Sequence, residues 1–494
     1  MWSSVRFILL VHSTFMISIE SAKILGVIPT PSISHQVVFR PLFQELARRG
    51  HEVTVITTDP AFSKGRTPEN LTEIDVHDIS YNLWRSIFLT KVTGHQDDSA
   101  AQQYAVPEVF NKILDMQIRD SEVQKILKYD SKYFDLLIIE SLPRPALVFS
   151  HVFKAPVIHV SSFGAYLGVH EAIGVPVHPF LYPSTVRQNI YNLTLWRKLT
   201  EIYTYAKVVN NYDKYEEKDN AMLRRHFGKD VPTLNELRNN IDMSFFNIHP
   251  IFEGNYPVPP NVIHIWGIYK KAEHQLPTVS VKQYNVKNNS WRKVVFSQLP
   301  YNILWKWNDD TLPGQTENIR IGKWFPQSDL LKHPNVKLFI TQGGLQSTDE
   351  AINAAVPLIG IPMLADQWFN VEKYVHLKIG LRVNLDSTDE ITRSTIITRS
   401  AKSWIMLREL VQDQPMAPLD RAVWWVEYTL RHGGARHLRS PAANISWADY
   451  MELELVSVLI LGFVVILGII MLIIFSIIRL CRGYFVTIRK IKGD

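Results

Sequence analysis

The sequence predicts an α/β protein of two domains, each a parallel sheet wrapped by helices, with one further apolar helix near the C-terminus. Three observations carry that reading. Residues Trp324–Gln367 hold two short apolar strands, Val336–Thr341 and Pro357–Pro362, around a helix from about Leu345 to Ala355: a parallel βαβ unit. Residues Lys23–Thr57 repeat the pattern with strand Lys23–Ile28, helix His35–Arg49 and strand Glu52–Thr57. Between the two units, Phe252–Pro260 is a proline-dense connector of the kind that separates domains. The expected division is 23–250, a linker over 251–261, and 262–450.

The 494 residues, 46% hydrophobic and 20% charged, are enough for two buried cores. The net charge of +6 is concentrated in the tail, and residues 23–478 carry only +2, which argues against a nucleic-acid partner. Arg6 followed by the apolar Phe7–Ile19 reads as a signal peptide over residues 1–22, the apolar run being short for a membrane span. Leu455–Ile478 is different: it has no charge and is long enough to cross a bilayer. The basic tail 479–494 then belongs in the cytosol and the main body in the lumen. Lys490 and Lys492 resemble an endoplasmic-reticulum retrieval signal, and also fit a simple stop-transfer flank. Cys481 is the only cysteine, so no disulfide forms within the chain and burial must hold the fold. Asn70, Asn192, Asn288 and Asn444 each head an N-glycosylation sequon.

In the first domain, the loop Pro29–Ser34 leads from the first strand into a helix without a G-x-G-x-x-G pattern, which argues against a dinucleotide site. His35 follows that loop. A histidine there reads either as a surface residue or as a general base, and its place at the C-terminal mouth of a strand favours the base. Such a base needs a carboxylate to orient it. Glu140, ending the predicted strand Phe134–Ile139, is the candidate; Asp135 competes, but from the opposite end of that strand. Between Tyr81 and Asp242 the chain reads as mostly helical and aromatic, with Phe163 and Tyr166 among residues that pack the core or line an apolar small-molecule pocket.

In the second domain polar residues converge on strand ends and on the helix start after Gly343-Gly344: Trp324, Gln327, Gln342, Gln346, Ser347, Glu350, Asp366 and Gln367. Glycines at such a turn let backbone N–H groups approach a ligand, and a helix N-terminus attracts phosphate. The string W-F-P-Q through L-A-D-Q resembles the donor signature of the UDP-glycosyltransferases, and T-Q-G-G-L-Q-S is most similar to insect members, Gln342 standing where many relatives have His. The resemblance implies the GT-B arrangement, two Rossmann-like domains facing a cleft, with an N-terminal acceptor-binding and a C-terminal UDP-sugar-binding domain. It implies inverting transfer of a sugar, glucose from the insect-like signature, to a hydroxyl of a small lipophilic acceptor, as in detoxification. His35 would be the base and Glu140 its partner; many members carry Asp at that place. Trp324 would stack on uracil, Gln327 bond the base or ribose, and Glu350 the ribose. Ser347 and the Gly343–Gly344 turn would hold the diphosphate, with Gln342 beside them and Gln346 also among the donor-binding residues. Asp366 and Gln367 would bond the sugar. No metal or other cofactor is expected, and a membrane is; related transferases are expected as oligomeric partners.

One departure stands out. After Gly267, members of the family show a strand ending in a Ser/Gly-rich loop; here Leu276-Pro277 is followed by the polar Thr278–Trp291 and the strand is missing, an apparent deletion. The rival reading is therefore a catalytically silent member that binds lipophiles or regulates partner transferases. Helices are expected at Arg393–Leu410 and Pro418–His432, the latter crossing back to the first domain.

Overall fold

The computed structural model describes residues 21–87, 98–270, 300–383 and 401–491, apart from the isolated positions 167, 177, 184, 186, 188, 189 and 308. The expected signal peptide thus falls almost wholly outside the described residues. So do the apparent deletion and Asn288.

The first lobe is a parallel sheet of seven strands: β1 (Lys23–Ile28), β2 (Glu52–Thr57), β3 (Leu71–Asp75), β4 (Leu136–Glu140), β5 (Val157–Ser161), β6 (Ile241–Phe246) and β7 (Val262–His264). Their order is β3-β2-β1-β4-β5-β6-β7. Strand alternation divides the apolar side chains between two faces: Leu25, Val27, Leu137 and Ile139 join one core, Ile24, Ile28, Leu136 and Ile138 the other. Both faces are covered, as a parallel sheet requires. One element is placed differently from the sequence reading. Val262–His264, expected to open the second domain, pairs with Ser244–Phe246 as the last strand of the first sheet. Two apolar residues and a histidine after a proline connector extend whichever edge lies beside them, and here that is β6.

The second lobe holds two shorter sheets among the described residues. β8 (Ile303–Lys306) pairs with β9 (Ile319–Gly322); β10 (Phe339–Thr341), β11 (Leu358–Gly360) and β12 (Gly380–Arg382) form the other, all parallel. Helices Leu345–Ala354 and Gln367–His376 follow β10 and β11. The predicted strand from Val336 is shorter than expected because Val336 N–H donates to the His333 carbonyl in a turn (2.9 Å).

The lobes meet at several points. Tyr269 Oη donates to Asp349 (2.6 Å), Lys373 Nζ donates to the Glu253 carbonyl (3.1 Å), and Tyr191 stacks on His376 at 3.8 Å. Helix Pro418–Arg431 crosses back to the first lobe, burying Ala422, Val423 and Val426 against the face that holds Phe39, Leu42 and Leu46. Arg49 fixes it through Glu427 (3.1 Å). The preceding helix is Ala401–Gln412, with Trp404 buried; residues 393–400 lie outside the described set. Leu453–Ile491 is one continuous helix, and Leu453–Gly483 is long and apolar enough to cross a membrane.

Candidate active site

His35 owes its position to the loop before it. The helix begins at Ile33, so His35 lies in its first turn, and its N–H donates to the Ser32 carbonyl (2.9 Å). Gln36, buried beside it, donates from Nε2 to the carbonyls of Ile28 (3.0 Å) and Thr30 (2.9 Å), pinning the loop to the end of β1. Strand β4 lies next to β1 and ends at Glu140. The two neighbouring strand ends therefore bring histidine and carboxylate together: His35 Nδ1 is 2.5 Å from Glu140 Oε1. Glu140 is buried, and its Oε2 accepts from the Thr30 N–H (3.1 Å), so the carboxylate cannot swing away. The competitor is settled too. Asp135 accepts from the Lys23 N–H (2.7 Å) at the other end of the sheet. Phe163 presents its ring edge-on to His35 at 5.7 Å, and Nε2 of His35 has no hydrogen-bond partner among the described residues.

Opposite stands the second lobe. Gly343 has φ +88°, and a Cβ there would lie 2.5 Å from Val371 Cγ2, so the turn both needs and has a glycine. Gly344 caps the helix Leu345–Ala354 with open space around it, leaving the first N–H groups of a ten-residue helix facing outward. Gln327 donates from Nε2 to Ser347 Oγ (3.0 Å) and Glu350 Oε2 (2.7 Å), which unites three of the predicted residues in one cluster. Burial pushes the Glu350 carboxyl from 4.5 to about 7, against the pull of the Gln327 hydrogen bond. Trp324 is 72% exposed with Lys306 Nζ 4.9 Å from its ring centre, so one ring face carries a cation and the other is open.

The remaining residues divide. Gln346 is held by its carbonyl, which accepts from Tyr269 Oη (3.2 Å). Gln342 is exposed and donates only to Met363 Sδ (3.4 Å). Gln367 is buried and its Oε1 accepts from the N–H groups of Met363 and Leu364 (3.0 Å each), leaving Nε2 as its available group. Asp366 accepts from Asn370 Nδ2 (2.8 Å). Burial raises the Asp366 carboxyl above 3.8, opposed by the Asn370 hydrogen bond and then by charge on His35. His35 of one lobe and Asp366 of the other are therefore within electrostatic reach of each other. Sequence reasoning missed Asn370, Tyr269 and Asp349, which no motif singled out. Of the sequon residues, Asn70 and Asn192 are exposed in left-handed turns, while Asn444 spends its Nδ2 on Asn235 O (2.9 Å) and Asn239 Oδ1 (3.1 Å).

Comparison with known proteins follows this geometry. Residues 284–493 match the family described as UDP-glucoronosyl and UDP-glucosyl transferase. An ecdysteroid UDP-glucosyltransferase of Spodoptera littoralis nuclear polyhedrosis virus is 32% identical over 91% of this chain and 96% of its own length. The chain belongs to the UDP-glycosyltransferase family. A UDP-glucosyltransferase of Dactylopius coccus is 30% identical, covering 92% of the transferase described here and 93% of its own chain. Among solved structures, the glycotransferase of kitacinnamycin superposes with a TM-score of 0.54 at 16% identity, covering 84% of this transferase and all of the other chain. A UDP-glucosyltransferase from Polygonum tinctorium capable of glucosylating indoxyl gives 0.51 at 15% identity, over 83% and 99%. At such identities the likeness concerns the fold, which is GT-B. The transferase is thus an enzyme that moves a sugar from a UDP-sugar donor.

Proposed function

We propose that the transferase moves glucose, with inversion, onto a hydroxyl of a small lipophilic acceptor. The carrying observation is the His35–Glu140 pair at 2.5 Å, with Asp366 of the second lobe within electrostatic reach of His35. His35 Nε2 takes the acceptor proton while the acceptor oxygen bonds to the anomeric carbon. The bond from that carbon to the UDP oxygen breaks, and UDP leaves as the anion. Glu140, already hydrogen-bonded to Nδ1, stabilises the imidazolium. The open N-terminus of helix Leu345–Ala354, with Ser347 and Gln346, takes up the diphosphate charge beside Gln342, so the proposal needs no metal. The uncovered face of Trp324 receives the uracil, and Glu350, steered by Gln327, accepts from the ribose. Asp366 and the Gln367 amide hold the sugar hydroxyls.

Relatives named for ecdysteroids and glucose support a lipophilic acceptor and a glucose donor, and Phe163 supplies an apolar wall beside the base. The apolar helix supports a single-pass anchor in the endoplasmic reticulum, catalytic body lumenal, tail cytosolic, with Asn70 and Asn192 available for glycans and detoxification as the role. Microsomes carrying the full chain, given labelled UDP-glucose and a panel of phenols and ecdysteroids, test the reading. Glucoside is expected from the wild type, and a loss of at least ~1,000-fold in kcat for His35→Ala. Acceptor binding without any turnover in the wild type would instead favour the silent reading.

A further inference from the structure

We propose that Asn370 is the positioning residue that locks the sugar-binding carboxylate to the diphosphate turn, so that both parts of the donor are gripped in one register. It lies one turn into helix Gln367–His376 and is 2% exposed. Its Nδ2 serves two acceptors that belong to different parts of the site: the Gly343 carbonyl (2.8 Å) and Asp366 Oδ2 (2.8 Å). One amide group has two hydrogens, and these two bonds use both.

The same helix closes on the turn in two other places. Val371 occupies the space where a Cβ on Gly343 would stand, and the Gln367 carbonyl lies 3.2 Å from that point. Backbone packing thus fixes how near the helix comes to the turn, but it says nothing about where Asp366 aims. Among the described residues only Asn370 joins carboxylate to turn directly. Asp366 follows Ala365, which has φ +51°, and its own position precedes the helix proper, so its side chain lacks the support a mid-helix residue has. Without the amide, Asp366 loses its aim and the hydrogen bond that favours its ionised form.

This inference rests on the donor reading above, and the test separates the two. With the full chain in detergent, calorimetry compares UDP and UDP-glucose binding to wild type, Asn370→Ala and Asn370→Asp. In Asn370→Ala, UDP affinity is expected to stay within about 3-fold while the additional affinity from glucose is lost and KM for UDP-glucose rises roughly 10- to 100-fold. The acidic limb of its pH–rate profile moves to higher pH, because Asp366 loses the hydrogen bond that favours its ionised form. The other groups facing Asp366 are His35 across the cleft and Tyr374 on the same helix, and both are intact in the variants.

Asn370→Asp keeps the shape but sets a second carboxylate against the first, so its activity is expected to recover on acidification, opposite to Asn370→Ala. Equal weakening of UDP and UDP-glucose with an unmoved acidic limb would reduce Asn370 to a structural role and overturn the proposal. So would unchanged kinetics, or no recovery of Asn370→Asp at low pH. Should wild type bind neither UDP nor UDP-glucose, the donor reading falls instead. Should Asn370→Ala fail to fold, Asn370→Asp and its pH response carry the test alone.

Discussion

At Glu350, binding and stability pull in opposite directions. Burial lifts the folded-state carboxyl from 4.5 to about 7. A group held protonated by the fold favours the native state most at low pH, and that advantage is lost as pH rises from 4.5 towards 7. Ionisation is nevertheless what would suit Glu350 to the proposed task of accepting from ribose hydroxyls. Glu350→Gln is therefore expected to raise Tm of the donor-free protein at pH 8 by ~2–4 °C, read by differential scanning fluorimetry. The same change raises KM for UDP-glucose and flattens its dependence on pH, which in the wild type falls as pH climbs through 7. How far single residues were legible follows a similar division. Glu140 could be found because it terminates an apolar strand, and His35 because it follows the loop that leaves the end of another, and parallel strand ends share one edge of a sheet. Asn370 could not, because a polar residue one turn into a helix looks the same whether it bonds its neighbour or a loop 27 residues away.

Among the elements, the turn at Gly343 and its helix depend most on a single position. Gly343→Ala meets both obstacles at once: a left-handed φ of +88° and a contact of 2.5 Å to Val371. A loss of ~2–4 kcal/mol in stability is expected by denaturant titration, with UDP binding weakened in the surviving folded fraction. Gly344→Ala, whose Cβ would meet nothing within 4 Å, is expected to fold normally. Element positions were legible where apolar periodicity and a breaker coincide, as in β1, β2 and helix Leu345–Ala354. Lengths were less so. An apolar run predicts that a strand is available, but a ladder extends only where a partner strand exists, and β10 keeps three of its six expected residues.

The largest consequence at the scale of the molecule is the split in the second sheet. In the first lobe β4 has β1 on one side and β5 on the other, and all five of its residues are buried. Among the described residues the corresponding strand of the second lobe, β10, pairs only with β11, and its three residues are half-buried. In β10 the Phe339 N–H donates towards β11, so by alternation the Ile340 N–H points to the other side. Ile138 occupies the equivalent place in β4 and pairs with β1. Hydrogen exchange of the full chain is expected to run roughly 100-fold faster at Ile340 than at Ile138. Slow exchange at both would mean that the edge of β10 is covered. The pairing of β7 shows the limit of reading domains from a linker: prolines mark where the chain turns, and hydrogen bonds decide which sheet owns the next strand.

The chain's return path has a mechanical outcome. Asp242 accepts the Ala435 N–H (3.0 Å), Arg439 donates to the Asn239 carbonyl (2.7 Å), and Asn444 N–H donates to the Glu171 carbonyl (2.8 Å), all before the apolar helix starts at Leu453. Every one of these stitches is to the lobe that carries His35. The half bearing the base is thus tied directly to the apolar helix, whereas among the described residues the other half joins it through the contacts of Tyr269, Lys373 and Tyr191. With the proposed anchor in a bilayer, any rocking between the lobes would swing the second half, while the mouth beside His35 would keep its height and bearing.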